Sequence, residues 1–163
     1  MPKKITPNPQ IKAWERAGKP VVVTVIDASG AAAGRLATHV AKRLLEGEEV
    51  HIVNSEKCTV SGTKEAVMER MNFKRDVGTQ RKGPYYPRVP HLMMKRTVRG
   101  MFNYQELPSH RAAYKRLKCH IGVPDELKGQ RAIVVEKAKA NAPRVMTFGE
   151  IAHKLGAKFG QEM

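Results

Sequence analysis

Lys74, Arg75, Arg81, Lys82, Arg88, Lys95, Arg96 and Arg99 bring eight positive side chains into residues 74–100, against one acid, Asp76. Tyr85 and Tyr86 sit side by side in their midst, while Gly78, Gly83, Pro84, Pro87 and Pro90 interrupt regular structure. The chemistry open to such a set is the gripping of a polyanion. Arginine forks onto phosphate or stacks on a base, lysine acts as a point charge, and tyrosine offers a flat face to an unpaired base. Arg111, Lys115 and Lys118 carry the same charge further along the chain. A solvated charged loop has the same local composition, so the rest of the sequence has to decide.

The whole chain of 163 residues has a net charge of +15 and a pI near 10.1. Where that charge sits is more telling than its sum. Residues 1–20 hold five bases and one acid; residues 21–73 hold six and seven; residues 74–120 hold twelve and two; residues 121–163 hold seven and five. A nearly neutral folding unit therefore bears a concentrated cationic segment, which is not how a merely soluble basic protein spreads its charge. A hydrophobic fraction of 41% at this length supports one domain with its own core. Cys58 and Cys119 lie far apart and neither belongs to a CxxC, so a reducing compartment is the expectation. The start, MPKKITPNP, has no apolar signal core, and no apolar run approaches the roughly 20 residues that span a bilayer. A cytoplasmic location is expected.

The elements that must position the cationic segment follow from periodicity. Residues 1–20, with four prolines and five bases, read as a basic arm that Trp14 docks on the domain or a partner. Val21–Asp27 is a β-branched run suited to a strand covered on both faces. After a turn at Ser29 and Gly30, Ala33, Leu36, Ala37, Val40, Ala41 and Leu44 recur at helical spacing up to Gly47, and Val50–Val53 is a second strand. Strand, helix and strand form a parallel βαβ unit. Cys58–Val60 is a further short strand. Ser61 or Thr63 then caps a helix facing inward through Val67, Met68 and Met71. Pro84, Pro87 and Pro90 recur every third residue, as along one side of a polyproline II turn.

From His91 a helix turns Met94, Val98, Met101 and Phe102 inward and Lys95, Arg96 and Arg99 outward. A short helix after Pro108, capped by Ser109, sets Arg111 and Lys115 one turn apart, and Leu117–Ile121 is a strand. Arg131–Val135 fits either a strand or a helix. Val145–Phe148 reads as a last strand, and Gly149–Phe159 as a helix burying Ile151, Ala152, Leu155 and Phe159. The fold class is α/β.

Catalysis would call for motifs that these residues lack. The turn ASGAAAGRLA has only Gly30 and Gly34, lacking G-x-G-x-x-G and the P-loop pattern. Asp27 and Ser29 are better read as capping the turn, with Gly34 letting the helix approach the sheet. The six histidines show no H-E-x-x-H and no zinc spacing with cysteine; Cys119 and His120, being neighbours, point to opposite faces of a strand. The proline series with Arg88 resembles an SH3-type ligand, but it joins two helices of one domain. No catalytic residue, metal or cofactor is expected.

The stretch VIDASGAAAGRLATHVAKRLLEGEEVHIVNSEKCTVSG resembles the first half of the ribosomal protein thirteen family of the large subunit. RKGPYYPRVPHLMMKRTVRGM followed by RLKCHIGVP resembles its central signature, and TFGEIAHKLG is similar to the C-terminal helix of its archaeal and eukaryotic-type branch. The likeness covers residues 21–122 closely and 143–158 more loosely, leaving the arm and 123–142 outside it. It implies a Rossmann-like α/β/α domain over 21–163 with a small, mostly parallel four-stranded sheet, a basic loop–helix insertion within 74–118 and an N-terminal extension. It also implies no catalysis, no membrane and no small-molecule substrate, but a structural role on large-subunit ribosomal RNA beside neighbouring ribosomal proteins. The RNA-facing residues expected are Lys74, Arg75, Arg81, Lys82, Tyr85, Tyr86, Arg88, Lys95, Arg96, Arg99, Arg111, Lys115 and Lys118. The competing reading is a Rossmann-like RNA-modifying enzyme holding a nucleotide or methyl donor in the crevice after Val21–Asp27.

Overall fold

A computed structural model describes residues 22–79 and 81–159. The expected arm at 1–20, Trp14 included, lies outside them. In chain order the elements are β1 (Val23–Asp27), α1 (Ala33–Leu45), β2 (Glu49–Val53), β3 (Thr59–Ser61), α2 (Lys64–Asp76), α3 (Pro90–Arg99), α4 (Pro108–Lys115), β4 (Leu117–Cys119), β5 (Ile133–Val134), β6 (Val145–Thr147) and α5 (Phe148–Lys154). The main sheet has strand order β4-β2-β1-β5, with every neighbour parallel. This is the α/β class that the βαβ pattern announced, in the Rossmann-like form that the family resemblance implies.

Because side chains alternate across a strand, the register sorts the sheet into two faces. Ile26, Val50, Ile52 and Leu117 share the face that joins the main core with α1, α3 and α5. Val25 and Val53 share the other, where Leu127 from a 3-10 turn at Asp125–Leu127 completes a small second cluster. The α1 stripe is buried as its spacing required, from Ala33 through Leu44. Gly47, with φ of 101°, turns the chain towards β2. On α2 the Thr63 hydroxyl accepts from the Ala66 amide at 3.4 Å, so the cap is Thr63 rather than Ser61.

Several expectations needed correction. β6 is not part of the main sheet: it pairs antiparallel with β3, Thr59 opposite Thr147. Phe148 starts α5 instead of ending the strand, since the Thr147 hydroxyl caps that helix by accepting from the Glu150 amide at 3.1 Å. α5 ends at Lys154, which leaves Phe159 beyond it and only half-buried, its ring 4.5 Å from that of His153. Ser109 does not cap α4. Pro108 occupies the first turn with Leu107 as the N-cap, and no side chain accepts there. Met101 is exposed, because α3 stops at Arg99 and the helical period does not reach it, whereas Met93 is fully buried. Gly34 does not serve close packing: a Cβ built there meets nothing within 4 Å. The proline triplet is divided, with Pro90 buried in the first turn of α3.

Candidate nucleic-acid interface

α3 carries most of the candidate interface. Pro90 opens it with φ already set for a helix, and Met93, Met94 and Val98 fix its inner face in the core. Lys95, Arg96 and Arg99 are thereby forced outward, and each lies over a tyrosine ring. The Arg96 guanidinium carbon is 4.8 Å from the Tyr86 ring centre, and the Lys74 ammonium at the end of α2 is 5.4 Å from the same ring. Arg99 stands 4.6 Å from Tyr104, and Lys95 stands 5.5 Å from Tyr114. Tyr104 and Tyr114 meet edge to face at 5.4 Å. Each cation–ring contact contributes about 0.5–1 kcal/mol at an exposed site. Their larger effect is to limit the rotamers of long side chains before any ligand arrives.

The two adjacent tyrosines divide their work. Tyr86 is half-buried, packs against the main core, and burial raises its phenol pKa against the lowering influence of Arg96 and Arg70. Tyr85 is 67% exposed, and its carbonyl accepts from Arg96 Nη1 at 3.4 Å. Of the two, only Tyr85 exposes a broad ring surface.

Between α2 and α3, Thr79 and Gly83 exchange backbone hydrogen bonds of 3.3 and 2.9 Å, placing Arg81 and Lys82 in the turn between them. Gly78 must lack a side chain, since a Cβ there would lie 2.3 Å from the Gly83 carbonyl oxygen. Arg81, Lys82, Arg88, Arg111 and Lys115 are all exposed and make no ion pair among the described residues. Arg75 instead pairs with Asp76 at 2.8 Å, and that hydrogen bond holds the Asp76 carboxyl below its usual range. Lys118 faces away from the others: it pairs with Glu49 at 2.8 Å on the sheet face opposite α3. Its hydrogen bond is the main reason the Glu49 pKa falls. The structure thus gathers Lys74, Tyr86, Lys95, Arg96 and Arg99 in one aromatic-seated group, flanks it with the exposed loop, and sets Arg75 and Lys118 in internal pairs.

Tyr104 and Tyr114 are members of this surface that the sequence reading passed over. Their signal was aromatic residues interleaved with bases across the whole of 74–118, not only at 85–86. Two clefts flank Arg96 and Arg99. One, about 180 Å³, is bounded by Pro87, Leu92, Lys95 and Tyr114; the other, about 350 Å³, is bounded by residues 102–106. Arg116, by contrast, is committed to the fold, donating from Nη2 to the Leu44 carbonyl at 2.6 Å.

The turn after β1 is occupied by its own hydrogen bonds. Asp27 Oδ1 accepts from the Ser29 amide at 3.0 Å, the Ser29 hydroxyl at 2.8 Å and Asn54 Nδ2 at 3.0 Å. Burial pushes that carboxyl pKa up, but these donors and Lys57 outweigh it and leave it lowered. Burial pushes both thiols, Cys58 and Cys119, to about 12, which keeps them protonated and unreactive. Among the described residues no cluster of three or more His, Cys, Asp or Glu side chains could hold a metal, and no helix is long and apolar enough to cross a membrane.

Residues 22–126 match the family described as Ribosomal protein L13. The chain belongs to that family. The L13 match contains the βαβ unit and the whole basic insertion, and it reaches past the end of β4. Among its relatives, the large ribosomal subunit protein uL13 of Methanococcoides burtonii is 43% identical over 140 residues, covering 84% of this chain and all of the relative. That of Methanosphaera stadtmanae is 44% identical over 143 residues, covering 85% and 100%. That of Archaeoglobus fulgidus is 44% identical over 137 residues, covering 82% and 87%. The archaeal-type likeness expected from the C-terminal motif agrees with these L13 relatives, and the competing enzyme reading gains nothing from them.

Proposed function

We propose that this L13-family chain is a non-enzymatic, structural constituent of the large ribosomal subunit in the cytoplasm. It binds ribosomal RNA beside neighbouring ribosomal proteins and supports subunit assembly and translation. The observation that carries the reading is the row of cations on α3, each resting on a tyrosine and flanked by the exposed Arg81–Lys82 turn. Phosphates would meet Arg81, Lys82, Arg88, Arg111 and Lys115 as mobile charges, and Lys74, Lys95, Arg96 and Arg99 as seated ones. Tyr85 stacks on an unpaired base, while Tyr86 supports the cations from beneath. Arg75 and Lys118 join only if RNA displaces Asp76 and Glu49. Sedimentation of purified large subunits through a sucrose gradient at moderate salt tests the reading. The protein is expected in the large-subunit peak; its absence there would reject the proposal.

A further inference from the structure

The cleft beside α3 contains an electrostatic anomaly. Glu106 is the sole acid between Asp76 and Asp125, yet it stands in the midst of the cationic surface. A carboxylate at that place repels phosphate, so its presence needs a donor. Asn103 Nδ2 donates to Glu106 Oε2 at 2.5 Å, and no described residue donates to Oε1. Each carboxylate oxygen accepts about two hydrogen bonds, so both oxygens retain capacity.

We propose that this cleft receives an unpaired guanine of the bound RNA; the inference rests on the RNA-binding reading above and adds base identity to it. The opening of about 350 Å³ is lined by Arg99, Tyr104, Asn103, Gln105 and Glu106 and suits one small planar ligand. Arg99 rests one face on Tyr104 at 4.6 Å and stacks its other face on the base. Guanine presents two adjacent donors, N1–H and the 2-amino group, which match the two oxygens of Glu106. Adenine and cytosine each set a ring acceptor beside their amino group, and uracil flanks its one ring N–H with carbonyls, so all three meet the second oxygen with repulsion.

The frame around the cleft is already fixed. The Asn103 amide donates to His110 Nδ1 at 3.1 Å, the Leu107 amide donates to the Asn103 carbonyl at 3.2 Å, and His110 packs its ring edge-on against Phe102. These bonds fix the backbone that carries Asn103 and Glu106, and the Asn103 side-chain amide restrains the carboxylate itself.

The test uses the intact protein and five single-stranded RNA pentamers of uridine whose central base is guanine, inosine, adenine, cytosine or uracil. Fluorescence anisotropy is expected to give the guanine pentamer about tenfold tighter binding than the all-uridine one, with most of that gain lost for inosine, which lacks the 2-amino group. Glu106→Gln keeps an oxygen for Asn103 but replaces one acceptor by a donor. It should erase the preference for guanine, and by removing a charge that repels phosphate it should tighten rather than weaken binding of the all-uridine pentamer. Equal binding of all five pentamers, or a guanine preference that survives in Glu106→Gln, would overturn the inference. Failure of every pentamer to bind at low salt would instead overturn the RNA-binding reading beneath it.

Discussion

Replacing Arg81, Lys82 and Arg88 together by glutamine should flatten the salt dependence of RNA binding by a calculable amount. Arg75 is neutralised by Asp76 at 2.8 Å, which leaves seven of the eight cations from Lys74 to Arg99, and the exposed Arg111 and Lys115 bring the phosphate-facing set to nine. With a single-strand coefficient of about 0.7 per neutralised phosphate, nine contacts give a log–log slope of about −6. Raising salt from about 50 to about 200 mM then weakens binding by about six thousandfold. The triple variant retains six contacts, a slope of about −4, and a loss of only about three hundredfold over the same range. Anisotropy of a labelled uridine RNA across a potassium chloride series measures both slopes. All three side chains are exposed and outside the core, so thermal unfolding followed by circular dichroism should be unaltered. An unchanged slope would mean that these cations do not touch phosphate. A lowered melting temperature would mean that they belong to the fold.

Tyr85→Ala should cost about 1–3 kcal/mol of RNA affinity with no change in melting temperature, whereas Tyr86→Ala should lose on the order of 2 kcal/mol of stability through its contact with the core. Arg116→Gln removes the charged donor from the Leu44 carbonyl and should destabilise the protein by about 1.5–3 kcal/mol in urea unfolding, with the RNA salt slope intact although Arg116 sits in the basic segment. His120 is held below its ordinary pKa chiefly by burial and further by electrostatic repulsion from His51, His91 and Lys118, against Glu126. Its folded-state pKa is depressed, so the native protein binds fewer protons than the unfolded chain. Stability should be complete above about pH 6.5 and decline as acid drives His120 to protonate, and the melting temperature of His120→Gln should vary less over that window.

The parts of the fold that could be read in advance are those encoded in one continuous stretch. The α1 stripe is legible because six apolar positions share one helical face, and β1 because a β-branched run needs cover on both sides. Helix ends were harder. Met101 fits the period of α3, but Gly100 lies past the last helical residue, and periodicity alone does not say where a helix stops. The pairing of β3 with β6 joins residues far apart in sequence, and nothing local in Val145–Thr147 distinguishes it from an edge strand of the main sheet. At the interface the charge was legible in full. Its sorting was not, because the seats beneath Lys95 and Arg99 come from Tyr114 and Tyr104, which reach α3 only through the packing of α4 and the 102–106 loop. The pairs that occupy Lys118 and Arg75 differ in the same respect: Glu49 is remote in sequence from Lys118, whereas Asp76 stands next to Arg75.

Val135, Ala138, Met146, Phe148, Ile151 and Leu155 all enter the main core from the far end of the polypeptide. A nascent chain that stalls before Val135 therefore displays its entire cationic surface while an apolar seam beside α1 stands unfilled. Such a fragment would adhere to RNA before it was finished, and its open seam would mark it for the proteases and chaperones that patrol incomplete translation products. Vectorial synthesis delivers the basic segment before the last core residues, so closure of the core waits on residues 135–155.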